Sequence, residues 1–415
     1  MTSAWTSLVN VLLGFWLISA PYTFGYQSRA MLYSDWISGL LIILFALLSR
    51  SGKRVYAPWL GAFVAIWVQA APLLFWAKES ASYLNNTLVG ALMMVFFIII
   101  PNPPGGEPDE GPSVAPGWSY NPSSWAQRIP ILAFAAICWF ASRLLAAFQL
   151  GYIDEITDPF FDSGTREVLT SKISQWFPVS DAGLGTFAYA LEFLFACQGG
   201  ERRWRTSPWM GILSGTLIVP VSLVSVVLII LQPIAVGSWC SICLFTAFCA
   251  LLTVPLGIDE LVLTLQYMRK SKEKPFWKLL FQGGSCPGAR EDPRSPKLSA
   301  PLKELFSASL WGVTIPWNLV LSALIGLVMM LLPAFFQISD PFARNFYYIL
   351  GPLIIVVSIV SLAELARGAR WINLIFAIGI IVFDVVYGAT FNILALLLAL
   401  LSFRRGPIRE RSRFE

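Results

Sequence analysis

Two cysteines three residues apart are the residues of this chain best suited to chemistry. Cys240 and Cys243 stand in VGSWCSIC, which opens an apolar run that continues as LFTAFCALLTVPL. On a helix, residues at this spacing share one face, so the two thiols can close a disulfide. The positive end of the helix dipole also stabilises a thiolate in the first turn, where Cys240 falls. Because thiolates attack disulfides and quinone rings, the spacing is typical of redox chemistry.

Two other interpretations of this spacing remain open from the residues alone, chance and a zinc clip. Six cysteines in 415 residues can produce a C-x-x-C by coincidence. A zinc clip requires a second ligand pair, which the other cysteines do not offer: Cys138, Cys197, Cys249 and Cys286. The chain has no histidine, which excludes His-ligated haem and every Ser-His or Cys-His nucleophile. We predict no metal site and favour the redox interpretation.

The elements that must position these thiols are membrane helices. The chain is 56% hydrophobic and 13% charged, with a mean hydropathy of +0.67. Apolar runs near the length that crosses a bilayer recur twelve times along it, and backbone groups in lipid must be satisfied internally. We therefore predict an all-α polytopic membrane protein of about 12 transmembrane helices, with a central four-helix bundle between two four-helix repeat blocks.

The distribution of Lys and Arg predicts the orientation of these helices. With a cytoplasmic N-terminus, the cytoplasmic segments hold 23 of the 29 basic residues and the outer segments five. The start, MTSAW, carries no basic residue, so the first run is expected to be a retained helix rather than a signal peptide. The net charge of +5 then reflects topology rather than nucleic-acid binding. We predict a protein of the bacterial plasma membrane with both termini in the cytoplasm and the C-x-x-C pair on the outer, oxidising side.

An internal repeat occupies the two outer blocks. Pro21 and Pro72 lie 51 residues apart, as do Pro333 and Asp384, and a glycine follows 18 residues after each proline. A proline near the end of one helix and a glycine early in the next suit a two-helix hairpin. The predicted domains are 1–101 and 306–415 for the repeat blocks, 129–262 for the central domain, and 102–128 and 263–305 for a Pro/Gly-rich and a basic cytoplasmic linker.

These outer blocks resemble the SPW-repeat membrane family, whose repeats carry a small residue, a proline and an aromatic residue near a helix end. Ala20, Pro21 and Tyr22 fit this pattern, and the resemblance covers residues 5–100 and 310–403. It implies no activity. A scaffolding or partner-binding role is favoured for these blocks over a catalytic one.

The central block resembles the vitamin K epoxide reductase family. The resemblance lies in the order of a long outer loop, VLTSKIS, FPVSDAGLG, RWRTSPW and WCSICL over about 130 residues. It implies a four-helix bundle whose C-x-x-C exchanges electrons with a quinone, while a pair of loop cysteines relays them to an outer partner. Ubiquinone, menaquinone and plastoquinone fit equally, and the implied partner is an extracytoplasmic thioredoxin-like protein.

The resemblance implies a role for four residues of this chain. Cys243 matches the cysteine that faces the quinone, and Cys240 the one that exchanges with the loop pair. Ser171 matches a serine that can hydrogen-bond a quinone carbonyl. Asp181 lies about where some members place an asparagine, and a neutral Asp181 could donate to a quinone oxygen.

The chain also departs from the family at the loop cysteines. Thr165 stands where the second of them is expected, no cysteine lies between Cys138 and Cys197, and Ala247 replaces a tyrosine. Two hypotheses follow. Either an outer dithiol protein reaches Cys240 directly and the chain is a thiol:quinone oxidoreductase, in which electrons can flow in either direction, or the chain is a non-catalytic membrane scaffold that keeps the fold.

Two charged residues inside the central block must be compensated, because charges in hydrocarbon cost several kcal/mol. Arg143 and Glu192 fall about 10 and 15 Å from the outer ends of their helices at 1.5 Å per residue. We predict a structural ion pair between them rather than a proton relay. Cys138 and Cys249 are expected to be apolar packing residues.

Overall fold

A computed structural model of the chain describes residues 4–50, 56–77, 79–98, 110–176, 179–336, 338–387 and 392–412. These residues form helices and connecting segments, with isolated bridges in place of any β-sheet. Part of the Pro/Gly-rich linker (102–109) and four basic residues used for the orientation (Lys53, Arg54, Lys78 and Arg413) lie outside the described residues.

Ten helices of the described ranges are long and apolar enough to cross a membrane. The chain is therefore an all-α polytopic membrane protein, as predicted. Two further helices, α7 and α16, occupy the positions of the other expected crossings but are shorter, so the count of twelve stays a prediction. The helices are α1 Ala4–Thr23, α2 Arg29–Arg50, α3 Ala57–Leu74, α4 Ser80–Ile98, α5 Trp125–Gln149, α6 Gly164–Leu169, α7 Asp181–Cys197, α8 Arg203–Thr206, α9 Pro208–Leu231, α10 Ser241–Lys270, α11 Phe276–Gln282, α12 Leu302–Ser309, α13 Trp317–Phe335, α14 Pro341–Val360, α15 Arg370–Tyr387 and α16 Asn392–Phe403.

The repeats form helix hairpins held by close backbone contact. A Cβ added to Gly39 would lie 2.7 Å from the carbonyl oxygen of Gly14, and one added to Gly90 would lie 2.8 Å from that of Ala65. In the last block, a Cβ on Gly351 would meet the Gly326 carbonyl at 2.7 Å. Any side chain at these positions would push the paired helices apart, which confirms the predicted role of the repeat glycines.

Polar contacts join neighbouring hairpins within each repeat block. Asn86 donates to Asp35 at 2.7 Å, and the two residues are separated by the repeat length of 51. In the last block Tyr347 follows Pro333 by the same offset at which Asp35 follows Pro21, and it donates to Asp384 at 2.7 Å. Asp384, which replaces the fourth repeat proline, is therefore buried with a hydrogen-bond partner.

The central block is a bundle of α5, α7, α9 and α10, with α6 lying in the loop between α5 and α7. Leu73 of α3 packs against Gly183 of α7 on one side. On the other side, Tyr348 of α14 makes an edge-to-face contact with Trp239, whose ring centroid lies 5.9 Å away. Both outer blocks therefore contact the central bundle. Because α10 runs to Lys270, the domain boundary predicted at residue 262 falls inside a helix.

The connecting segments gather at two ends of the protein. The thiol end comprises residues 24–28, 75–77, 150–180, 232–240 and 336–340 in their described parts, and the basic end comprises residues 110–124, 198–207, 271–316, 361–370 and 404–412.

The two predicted linkers pack against each other at the basic end. Val114 and Arg290 exchange backbone hydrogen bonds of 2.9 Å, and Ser119 accepts a bond of 2.8 Å from the backbone of Arg411. Beneath this layer, Arg203 and Glu260 form a buried salt bridge of 2.5 Å. The described parts of the linkers are thus ordered parts of a folded layer.

The predicted Arg143 to Glu192 ion pair is wrong. Arg143 lies against the rings of Tyr83 and Trp139, at 5.8 and 5.4 Å from their centroids. Glu192 is buried with a hydrogen bond to Thr253 instead. Arg143 lies six residues from the end of α5 and Glu192 eleven residues from the start of α7, and their contacts are on different helices, α4 for Arg143 and α10 for Glu192.

Candidate active site

Cys240 and Cys243 form a disulfide at the start of α10, with their Cα atoms 5.2 Å apart. Cys240 is the N-cap residue, and its sulfur accepts a bond of 3.1 Å from the backbone N–H of Cys243. The preceding turn, Gln232–Val236, ends at Gly237, whose left-handed φ of +83° favours glycine. The backbone N–H of Cys240 is held by the Gln232 side chain at 3.0 Å.

The short helix α6 covers Cys240. The Thr165 hydroxyl lies 3.4 Å from Cys240 Sγ, and Cys240 is 0% exposed. A Cβ added to Gly164 would lie 2.0 Å from the Trp239 carbonyl oxygen, so this contact also requires glycine. Thr165, the residue that stands at the expected position of the second loop cysteine, therefore contacts the thiol with which that cysteine would exchange.

A buried carboxylate holds this cover in place. Asp158 accepts hydrogen bonds from the Thr165 hydroxyl at 2.5 Å and from the Ser241 backbone at 2.8 Å, and it also accepts one from the Ser241 hydroxyl. Two further bonds of 2.9 Å come from the backbone of Phe160 and Phe161. Burial opposes ionisation, but the bonds from Ser241 and Thr165 outweigh it and lower the pKa of Asp158 below its usual range.

Asp158 is a residue that the sequence analysis missed. It lies seven residues before Thr165 in the stretch TDPFFDSGT, which contains a second aspartate and no motif that singles out either. Its importance comes from the approach of the loop to Ser241, 83 residues away in the chain.

A cavity of about 380 Å³ lies on the other side of the disulfide and reaches Cys243. Its walls come from α5, α6, α7, α9 and α10 and are mostly apolar. Leu184 of α7 and Val224 of α9 line it while remaining 39% and 55% exposed. The cavity therefore opens sideways between α7 and α9, on the surface that faces hydrocarbon. Ala247 also lines it, which leaves open the space that a tyrosine would fill.

The structure brings three of the four sequence-predicted site residues to this cavity, namely Cys243, Ser171 and Asp181, while Cys240 lies behind them under α6. The Ser171 hydroxyl donates to the Val168 carbonyl at 2.7 Å, so it must rotate to donate to a ligand. Their roles toward a ligand stay predictions.

Asp181 belongs to a polar cluster at one wall of the cavity. One of its carboxylate oxygens accepts from Gln149 at 2.6 Å, from Ser174 at 2.9 Å and from the Ala182 backbone at 2.7 Å. Gln149, at the end of α5, also accepts from Ser180 and thereby ties the start of α7 to α5. Sequence reasoning missed Gln149 because a lone glutamine at a helix end carries no signal.

Two further cysteines of the bundle, Cys138 and Cys249, pack together away from the disulfide. Cys138 and Cys249 are buried beside Tyr189, and the Cys138 thiol donates to the Thr246 carbonyl at 3.5 Å. This burial fits the packing role predicted for them.

Comparison with known proteins assigns two parts of the chain to families. Residues 129–258 match the Vitamin K epoxide reductase family, and residues 4–99 match the SPW repeat domain. No curated protein and no solved structure matches the chain. The match over 129–258 contains the disulfide, the cover and the cavity. This integral membrane protein thus joins an SPW repeat domain to a domain of the Vitamin K epoxide reductase family.

Proposed function

We propose that the chain is a membrane thiol:quinone oxidoreductase that passes electrons between a dithiol protein and a quinone through Cys240 and Cys243. The family of residues 129–258 supports a membrane redox enzyme in general. The observation that carries the finer proposal is the position of Cys243, which faces an apolar cavity that opens toward lipid.

The residues around this cavity fit a quinone. Its volume of about 380 Å³ lies within the range of small-molecule sites. Its apolar walls suit a ring with a hydrocarbon tail, which can leave through the opening beside Leu184 and Val224. The Ser171 hydroxyl and a protonated Asp181 would donate hydrogen bonds to the ring oxygens. A bound quinone supplies a two-electron acceptor next to Cys243.

The two cysteines divide the exchange between them. A thiolate of the partner dithiol attacks Cys240 Sγ, the Cys240–Cys243 bond breaks, and Cys243 leaves as a thiolate. The second partner thiol then displaces Cys240 from the mixed disulfide, so the partner loses two electrons and the pair gains them. As the disulfide forms again, its two electrons and the two protons of the thiols would pass through Cys243 to a quinone held in the cavity, which would leave as the quinol. The reverse direction uses the same residues.

The Asp158 carboxylate favours a thiolate on Cys243 over one on Cys240. A negative charge next to Cys240 opposes a second one there. After reduction, the Cys240 thiol can donate to the Thr165 oxygen, while Thr165 keeps its bond to Asp158. The charge is then left on the sulfur that faces the cavity.

Access to Cys240 requires α6 to move, because Thr165 covers its sulfur. The partner must therefore displace the loop that Asp158 holds. We infer that this loop faces the periplasm of a bacterium, since the segments rich in Lys and Arg gather at the basic end of the protein, which would be cytoplasmic.

A second candidate function is a non-catalytic scaffold. It is favoured by the same cover, because a hydrogen-bonded Asp158 and Thr165 cannot relay electrons as a cysteine pair does. The two functions predict different responses of the disulfide to quinone.

The test is thiol alkylation of the purified full-length protein, read by mass. After reduction, two extra alkyl groups should appear on Cys240 and Cys243, and incubation with ubiquinone or menaquinone before alkylation should remove them. Cys197→Ser should behave as wild type and Cys243→Ser should not. A pair that stays reduced in the presence of both quinones would support the scaffold.

A second test uses the absorbance of the Cys240→Ala variant. Without its partner cysteine, the remaining Cys243 should give a charge-transfer absorbance with a quinone bound beside it.

A further inference from the structure

A second groove lies at the junction of the SPW repeat domain and the central bundle. It has a volume of about 610 Å³ and is lined by residues of α4, α5 and the segment that follows α5. Three of its apolar residues, Leu84, Phe140 and Leu144, are exposed on the surface of the helices. The groove thus opens to the hydrocarbon region rather than into the protein.

One cation, Arg143, lines this groove. It forms no salt bridge with the described residues, and its Nε is buried there without a hydrogen-bond partner. Glu79 does not pair with it either: one Glu79 oxygen accepts from the backbone of Gln27 at 2.9 Å, and the other is buried without a hydrogen-bond partner among the described residues. The charge of Arg143 is stabilised by the rings of Tyr83 and Trp139, and because a charge at membrane depth is costly without an ion-pair partner, an external anion would stabilise it further.

The position of Arg143 matches the headgroup region of a bilayer. It lies six residues before the end of α5, about 9 Å along the helix axis at 1.5 Å per residue. Its side chain can extend toward the membrane surface. Ser80 also lines the groove and begins α4, so the N-terminal end of that helix lies at the same site and favours a negative charge.

The contacts around Arg143 hold it toward the groove. The Tyr83 hydroxyl donates to the Arg143 carbonyl oxygen at 2.9 Å, which fixes α4 against α5. Tyr83 packs against Tyr152 at 5.3 Å between ring centroids, and Tyr152 donates to the Ala77 carbonyl. The polar part of the groove is therefore built from both domains.

We propose that this groove binds the phosphate of an anionic glycerophospholipid, with Arg143 on the phosphate and an acyl chain against Leu84, Phe140 and Leu144. A guanidinium pairs with phosphate through two parallel hydrogen bonds, which favours Arg over Lys at such a site. The lipid would stabilise the junction between the two domains. This proposal does not depend on the redox function.

The test is native mass spectrometry of the full-length protein titrated with phosphatidylglycerol. Arg143→Gln should lower the bound fraction at a given lipid concentration by roughly tenfold, the effect of losing one charged hydrogen-bonding partner. Leu84→Trp, which fills the groove and keeps the charge, should lower it as well. Arg29→Gln, which removes an exposed arginine at the same end of the protein, should bind like wild type.

Three outcomes would overturn the proposal. They are unchanged binding by Arg143→Gln and Leu84→Trp, an equal loss in Arg29→Gln, and retention of phosphatidylcholine as strong as that of phosphatidylglycerol. Leu84→Trp keeps the test valid if Arg143→Gln fails to fold. It retains Arg143 and changes a side chain on an exposed surface, so the variant is expected to fold.

Discussion

The hydroxyl of Thr165 lies 3.4 Å from the sulfur of Cys240, although the two residues are 75 positions apart in the chain. This contact places the loop directly over the buried member of the disulfide. Thr165, which stands where the family resemblance predicts a loop cysteine, therefore contacts Cys240.

Thr165→Cys should therefore create a cysteine within bonding reach of Cys240. In a Cys243→Ser background, we expect a disulfide between positions 165 and 240, because the side chains already touch and differ little in size. Peptide mapping under non-reducing conditions would detect it. Thr170→Cys in the same background is the control, since Thr170 is exposed at the end of α6 and should stay free. A free thiol at position 165 would contradict the observed cover.

Asp158→Asn should loosen the cover. The carboxylate accepts five hydrogen bonds, and its replacement should lower the free energy of unfolding by about 1–3 kcal/mol. After reduction, Cys240 should also react faster with a maleimide. Thermal unfolding and alkylation rates measure the two effects, and Asp154→Asn, in an exposed part of the same loop, should change neither.

The contribution of Asp158 to the free energy of unfolding should decrease as the pH is lowered. Since the pKa of Asp158 is lower in the folded protein than in the unfolded chain, its ionisation stabilises the fold. This stabilisation is complete above the ordinary aspartate pKa of about 4 and is lost as the pH falls through the lower folded value. The difference in stability between wild type and Asp158→Asn should thus be constant near neutrality and shrink below about pH 4. A difference that grows on acidification would show that Asp158 is not held ionised.

Ser171→Ala should weaken quinone binding without disturbing the disulfide. Loss of one hydrogen bond of about 1 kcal/mol should raise the quinone KM roughly fivefold, while the extent of disulfide formation stays unchanged. Steady-state quinone reduction with a dithiol donor measures the KM. Ser163→Ala removes a hydroxyl from an exposed position before α6 and serves as the control. An equal change in both variants would argue against Ser171 as a contact of the quinone.

Ala247→Trp should fill the cavity beside Cys243. We expect quinone reduction to be abolished, while chemical reduction and alkylation of Cys240 and Cys243 continue, because the cavity is separate from the cover on Cys240. The matched control is Phe248→Trp, whose side chain is exposed on the next position of α10. Full quinone activity in Ala247→Trp would place the quinone elsewhere.

Much of the architecture was predictable from local composition. The apolar runs predicted the helices, and the spacing of Pro21, Pro72 and their glycines predicted the hairpins that Gly39 and Gly90 hold together. The C-x-x-C after Trp239 predicted two thiols at a helix start. These features follow from neighbouring residues alone, because in lipid a helix satisfies its own backbone and a one-turn spacing decides which side chains share a face.

The contacts across the bundle were decided by the tertiary structure. The bonds of Asp158 to Ser241 and of Gln149 to Asp181 join residues far apart in the chain. Packing also separates Arg143 from Glu192, since Arg143 contacts the Tyr83 ring of α4 and Glu192 bonds to Thr253 of α10. Local composition and spacing specify the helices and the thiol pair. Packing specifies which loop covers Cys240 and which helices leave a cavity at Cys243, because the rotation and approach of helices depend on side chains from all of them at once.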